Sequence, residues 1–268
     1  MTIPVNLLIL TSIPLGAIML ALLIPGTKNF YRARGLYNQK EDKIIYLLGP
    51  MLAITILIPW LLFSQYFKQG YSFFVFLACY LILLLASIKA DLHKLYPLQW
   101  FILWLIISIL LNDFGPINIL SIFHLSMVNY QLHYWLSLIL LYLLLLLLHL
   151  ITSSLPKSPM MRSWILLPSL IGSFTYMFIN NLFNGIFLPA TMIGVFLLST
   201  WLNRRNSTSA WDPGFSSMII TNFSLFWLTL IQPIQHQLWI TIIWLMPIIF
   251  ILMAHKSLQN LKSKIRTT

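Results

Sequence analysis

Two aspartates stand where this chain has the means for chemistry. Asp91 lies in Ser87-Ile-Lys-Ala-Asp-Leu-His-Lys-Leu95 and Asp212 in Trp211-Asp-Pro-Gly-Phe-Ser-Ser217, each beside a long apolar run. A carboxylate at a membrane boundary suits Mg²⁺ or phosphate chemistry. That ion takes oxygen ligands and is held by one or two carboxylates together with substrate phosphates. Only five of the 268 residues are acidic, and Glu41 with Asp42 forms the one adjacent pair. The structural alternative has Asp91 paired with Lys89 or His93, and Asp212 capping a helix that begins at Pro213. The basic residues Lys28, Arg32, Arg34 and Lys40, with Arg204 and Arg205, suit the phosphates of an anionic lipid or nucleotide. Their alternative use is to orient the chain by charge.

Other chemistries find little support. The six histidines are dispersed, with His149 inside an apolar run and His124 in a short segment, and none has the spacing of a metal site. The single cysteine, Cys79, excludes an internal disulfide and a thiolate cluster. Phosphate-cradling glycine loops, dinucleotide fingerprints and Ser/His/Asp arrangements are absent from the sequence.

The elements that must position these residues follow from composition. With 59% hydrophobic and 8% charged residues, a water-soluble fold of this length would lack polar cover. Apolar runs recur at 5–25, 44–63, 72–88, 96–111, 132–152, 163–180, 186–202, 215–232 and 237–254, each long enough or nearly so to cross about 30 Å of hydrocarbon as a helix. They lack the dyad alternation of a β-barrel, so the expected fold is all-α, a single integral membrane domain over 1–268 with about nine spans. The first run has no basic flank or small-residue cleavage site and reads as a retained span rather than a signal peptide. Segment 117–127 is too short to cross and reads as re-entrant or interfacial.

Charge fixes the expected orientation. With the N-terminus outside and the C-terminus cytoplasmic, fifteen of the sixteen basic residues fall in cytoplasmic segments and only Lys68 falls outside. The net charge of +11 therefore reports topology rather than nucleic-acid binding, because the basic residues are scattered through short loops. Trp60, Trp100, Trp164, Trp201 and Trp239 fall near span ends, where interfacial aromatics are expected. Asn180, Asn181, Asn184 and Gly185 read as an interhelical turn. The small residues Gly172, Ser173, Ala190 and Gly194 permit close helix packing, within the chain or with a protein partner.

Several segments, in order along nearly the whole chain, resemble the bacterial polyprenyl-phosphate N-acetylhexosamine-1-phosphate transferases, the WecA and MraY relatives of glycosyltransferase family 4. Arg32-Ala-Arg-Gly-Leu-Tyr37 followed by Leu48-Gly-Pro-Met-Leu-Ala-Ile54 is similar to their first cytoplasmic loop and second span. Ser87, Ala90, Asp91 and Leu95 occupy the places of their G-x-x-D-D-x-x-x-L pattern, with Ala90 where the first aspartate stands. Trp211-Asp-Pro-Gly-Phe215 is similar to their G-D-x-G-S element. The counterpart of their N-x-x-D-G-x-D-G loop, expected near 153–162, carries no carboxylate here, and Asn181-Leu-Phe-Asn-Gly185 resembles it on the opposite side. The family's His-rich loop and final span have no counterpart before Thr268.

The resemblance implies a bacterial inner-membrane protein of cell-envelope glycan synthesis, with undecaprenyl phosphate and a nucleotide sugar as ligands. It implies Mg²⁺ as cofactor, and Asp91 and Asp212 as catalytic or metal residues. The lost aspartates imply weakened or lost catalysis, leaving lipid-phosphate binding through Lys28, Arg32, Arg34, Arg204 and Arg205, or a scaffold role beside a protein partner. Two alternatives stay open: an active transferase with a drifted Mg²⁺ site, and an unrelated small membrane subunit of a respiratory or transport complex. The respiratory reading predicts paired intramembrane Lys and Glu residues, and the only glutamate, Glu41, falls in a loop.

Overall fold

Leu- and Ile-rich runs with few turn residues satisfy their backbone groups within the segment, and helices form on them throughout. A computed structural model describes residues 5–33, 51–57, 70–92, 95–114, 130–154, 159–183, 185–206 and 215–267. Among these, all regular structure is helical: α1 (Val5–Ala33), α2 (51–57), α3 (Gly70–Leu92), α4 (Pro97–Phe114), α5 (Tyr130–Ser154), α6 (Pro159–Ile179), α7 (Phe187–Asn206), α8 (Phe215–Leu230) and α9 (Ile234–Thr267). Each falls on one of the apolar runs. By length and composition, Ile9–Gly26, Pro97–Phe114 and Tyr134–Ser154 are long and apolar enough to cross a membrane. Leu22, Leu85 and Phe250 are each about 70% exposed, a surface suited to lipid. Segment 117–127 lies outside the described residues.

Two helices outrun the expected spans. Pro25-Gly26 reads as a stop, yet α1 continues to Ala33. A proline removes a single backbone donor, and at a membrane boundary water replaces the lost bond. At 1.5 Å per residue α1 is about 44 Å long and α9 about 51 Å, so both exceed about 30 Å of hydrocarbon.

The helix termini are set by local chemistry. Pro97 occupies the first position of α4, where its missing N–H costs nothing, and Gln99 Oε1 accepts from the backbone N–H of Tyr96 at 3.1 Å, one arm of a capping box. At the end of α6, Asn181 takes a left-handed backbone (φ 53°). The N–H groups of Asn181 and Leu182 then donate to the carbonyls of Phe178 (3.3 Å) and Met177 (2.9 Å), a Schellman closure. The expected turn at 180–185 is thus present. After α8, the buried Gln237 side chain donates to the carbonyls of Leu230 (3.2 Å) and Gln232 (2.8 Å), serving orphan acceptors at the helix end.

Burial sorts the helices into layers. The buried residues of α3 (Val75, Phe76, Cys79, Tyr80, Leu83), of α4 (Trp100, Trp104, Ile107, Ser108, Leu111) and of α9 (Gln237, Ile240, Trp244, Ile248) repeat every three or four positions, one stripe per helix. In α8, Ser216 through Leu230 are all buried. It is the central post, packed against α3, α5, α6, α7 and α9, while α4 packs on α3 and α5, and α1 on α7. Antiparallel pairing is fixed at two levels in two places. Tyr134 O–H donates to Asp113 at one end of α4 and α5, and His149 lies against Trp100 and Trp104 at the other. Likewise Ser169 reaches Trp244, and Tyr176 meets His236, between α6 and α9.

Small residues bring α1 and α7 closest together. A methyl group on Gly16 would overlap the Thr191 carbonyl, and one on Gly194 would overlap the Ile13 carbonyl. The backbones therefore touch, as small residues allow in lipid-embedded helix pairs. Gly194 performs the packing its size suggested, and Gly172 lets α6 approach Ile243 of α9. Gly16 is the partner that the reading of small residues passed over.

Candidate functional site

The chemistry-bearing residues of the sequence sit at helix ends. Asp91 lies in the last turn of α3, Lys28 and Arg32 in the last turns of α1, and Arg204 and Arg205 in the last turn of α7. Their side chains, together with Arg34 and Asp212, lie outside the described residues. Asp212 precedes the first residue of α8, Phe215, by three positions, and α3 packs on α8. The helix that carries Asp91 and the helix that Asp212 precedes in the sequence are therefore neighbours. Among the described residues, no three His, Cys, Asp or Glu side chains gather as a metal site.

The described side chains show a polar seam along the central helix. Six Ser, Thr or Asn residues of α8 (Ser216, Ser217, Thr221, Asn222, Ser224 and Thr229) are buried. Three return their hydroxyl to a carbonyl one turn earlier: Thr221 to Ser217 (2.7 Å), Ser224 to Ile220 (2.8 Å) and Thr229 to Leu225 (2.9 Å). Two bonds cross between helices. Asn222 Nδ2 donates to Thr152 Oγ1 of α5 at 3.0 Å, and Trp244 Nε1 of α9 donates to Thr229 Oγ1 at 3.3 Å. A third crossing bond, Ser169 Oγ to the Trp244 carbonyl at 2.9 Å, ties α6 to the same tryptophan.

Part of this seam is under-satisfied. Tyr80 Oη, Trp227 Nε1 and Asn222 Oδ1 are buried without a hydrogen-bond partner. The rings of Tyr80 and Trp227 each lie 5.2 Å from Phe76, so these groups belong to the α3–α8 contact. Buried polar groups in hydrocarbon are expensive, and their concentration on one helix marks that helix as facing protein. The density of Ser, Thr and Asn in 216–229 was the sequence signal for this central position.

One sequence-derived role changes in the structure. Trp100, expected as an interfacial anchor, is only 8% exposed and packs inward. Its ring lies 4.9 Å from His149 and 6.3 Å from Trp104, because α4 turns its capped first turns against α5. Trp201 and Trp239 are more than half exposed, as anchors would be, and the Trp60 and Trp164 side chains lie outside the described residues. His149 is thus held in an aromatic bracket, with the edge of Trp104 at 6.0 Å. Comparison with protein-family models, with curated proteins and with solved structures finds no match to this chain.

Proposed function

We propose that the chain is a nine-span protein of the bacterial inner membrane, N-terminus outside and C-terminus cytoplasmic, which binds a lipid phosphate at its basic cytoplasmic helix ends. On this reading it is a relative of the polyprenyl-phosphate N-acetylhexosamine-1-phosphate transferases with lost or weakened turnover, acting in cell-envelope glycan synthesis as a lipid-phosphate binder or scaffold. The observation that supports the basic patch is the backbone contact at Gly16 and Gly194. Lys28 follows Gly16 by twelve residues and Arg204 follows Gly194 by ten, about 18 and 15 Å of helix. In the nine-span topology α1 and α7 run the same way. Lys28, Arg204 and Arg205 then end at about one depth, with Arg32 about one turn beyond, as a patch for a phosphate at the membrane surface.

The residual carboxylates are few for catalysis. Mg²⁺ would have Asp91 and Asp212 as ligands and would neutralise a diphosphate, but Ala90 and the carboxylate-free 153–162 loop leave out ligands that the family resemblance implies. A nucleotide sugar remains a candidate ligand through the same basic patch.

Purified protein titrated with undecaprenyl phosphate tests the reading. Saturable binding is expected, weakened about tenfold or more when Arg204 and Arg205 are both changed to Gln, at about 1 kcal/mol per basic residue. A parallel assay with radiolabelled uridine diphosphate N-acetylhexosamine and Mg²⁺ should give no transfer. Absence of lipid binding would sink the proposal, and transfer abolished by Asp91→Asn would replace it with an active enzyme.

A further inference from the structure

A second lipid contact is written into the pair α4–α5. Pro97, Trp100 and Phe101 of α4 face Leu146, His149 and Leu150 of α5 across a cavity of about 180 Å³. That is room for about six groups of water or methylene size, at about 30 Å³ each. Pro97 is the first residue of α4 and Leu150 stands four residues before the end of α5. Both helices are of membrane-crossing length and apolarity, so the cavity lies at the level where one leaflet's hydrocarbon meets its headgroups. Its mouth opens sideways, since Phe101 is 47% and Leu150 61% exposed.

The wall suits one occupant. It is almost wholly apolar and offers too few polar partners to hold ordered water. The Trp100 and His149 rings pack against each other with centroids 4.9 Å apart and planes tilted by 39°, and Leu146 and Leu150 line the wall beside them. Gln99, Ser153 and Ser154 follow on the aqueous side of the same two helix ends. We infer that the α4–α5 cavity is a binding site for a single diacyl phospholipid. One acyl chain enters past the exposed Phe101 and Leu150 and lies against Trp100, His149 and Leu146, with its headgroup toward the same helix ends. This rests on the membrane residence of α4 and α5 alone and is independent of the basic patch proposed above.

The test uses the full chain in vesicles of phosphatidylethanolamine and phosphatidylglycerol doped with a phosphatidylglycerol that carries a diazirine near the carboxyl end of one acyl chain. After irradiation, labelled residues are mapped by peptide mass spectrometry. Labelling at 97–101 and 146–150 should exceed that at the exposed Leu22 and Phe250 faces by about tenfold. Two variants should remove the excess: Leu146→Trp, which fills the cavity, and Leu150→Trp, which blocks the mouth from an exposed position where folding is little affected. Even labelling of all exposed faces, unchanged labelling in a folded Leu150→Trp protein, or crosslinks from these peptides to a second copy of the chain would each overturn the assignment.

Discussion

Asn222 shows how single side chains are used in this core. Its amide nitrogen bonds Thr152 while its oxygen has no partner, in a helix with no exposed face. Replacing one side chain removes both the bond and the unsatisfied acceptor. Interhelical hydrogen bonds in membranes average about 0.6 kcal/mol, and an unpaired buried acceptor costs at least that. Asn222→Leu is therefore expected to change thermal stability in detergent little, or to raise it slightly. A loss of more than about 2 kcal/mol would mean that the oxygen serves a partner in the membrane. Trp244 is the opposite case, since its indole N–H is satisfied by Thr229. Trp244→Phe should cost about 0.5–1.5 kcal/mol, read as a lowered unfolding midpoint.

Between helices, the α1–α7 contact is the most demanding. Gly194→Ala sets a methyl group against the Ile13 backbone, which has no rotamer to yield, and should cost about 1–3 kcal/mol through separation of the helices. Gly172→Ala meets only the end of the Ile243 side chain and should cost less. Gly26→Ala meets nothing within 4 Å and should be neutral or stabilise by up to about 1 kcal/mol through helix propensity. Thermal unfolding of the three variants in one detergent would check the order, and equal losses at Gly194 and Gly26 would contradict the close contact. The helices themselves were legible in the sequence, because an apolar run of membrane length has few other ways to satisfy its backbone. Their ends were less so. Pro25-Gly26 looks like a stop, but local breakers do not decide where a helix leaves the bilayer. The partner of Gly194 was not legible, since Gly16 gains its meaning only from a helix far away in the chain.

For the whole molecule, the sequence foretold a helical bundle but gave no order to its helices. α8 is central although it is short and rich in Ser and Thr, because polar side chains are excluded from lipid and accepted inside protein. Trp100 was misplaced for a related reason: its position near a span end says nothing about which way the helix face turns. The candidate site was legible as a set of helix ends and as neighbouring elements, with Asp91 on α3 and Asp212 just before α8. The convergence of those side chains is a matter of the proposed topology.

That topology carries the lipid-phosphate reading, and one measurement tests it directly. In a Cys79→Ser background, single cysteines at Lys28, Lys68, Lys157, Arg204 and Lys256 are exposed to a membrane-impermeant maleimide, in intact spheroplasts and after lysis. The account predicts labelling at position 68 in intact spheroplasts, and at 28, 157, 204 and 256 only after lysis. Labelling of 28 and 204 from opposite sides would separate the two halves of the basic patch and contradict the account.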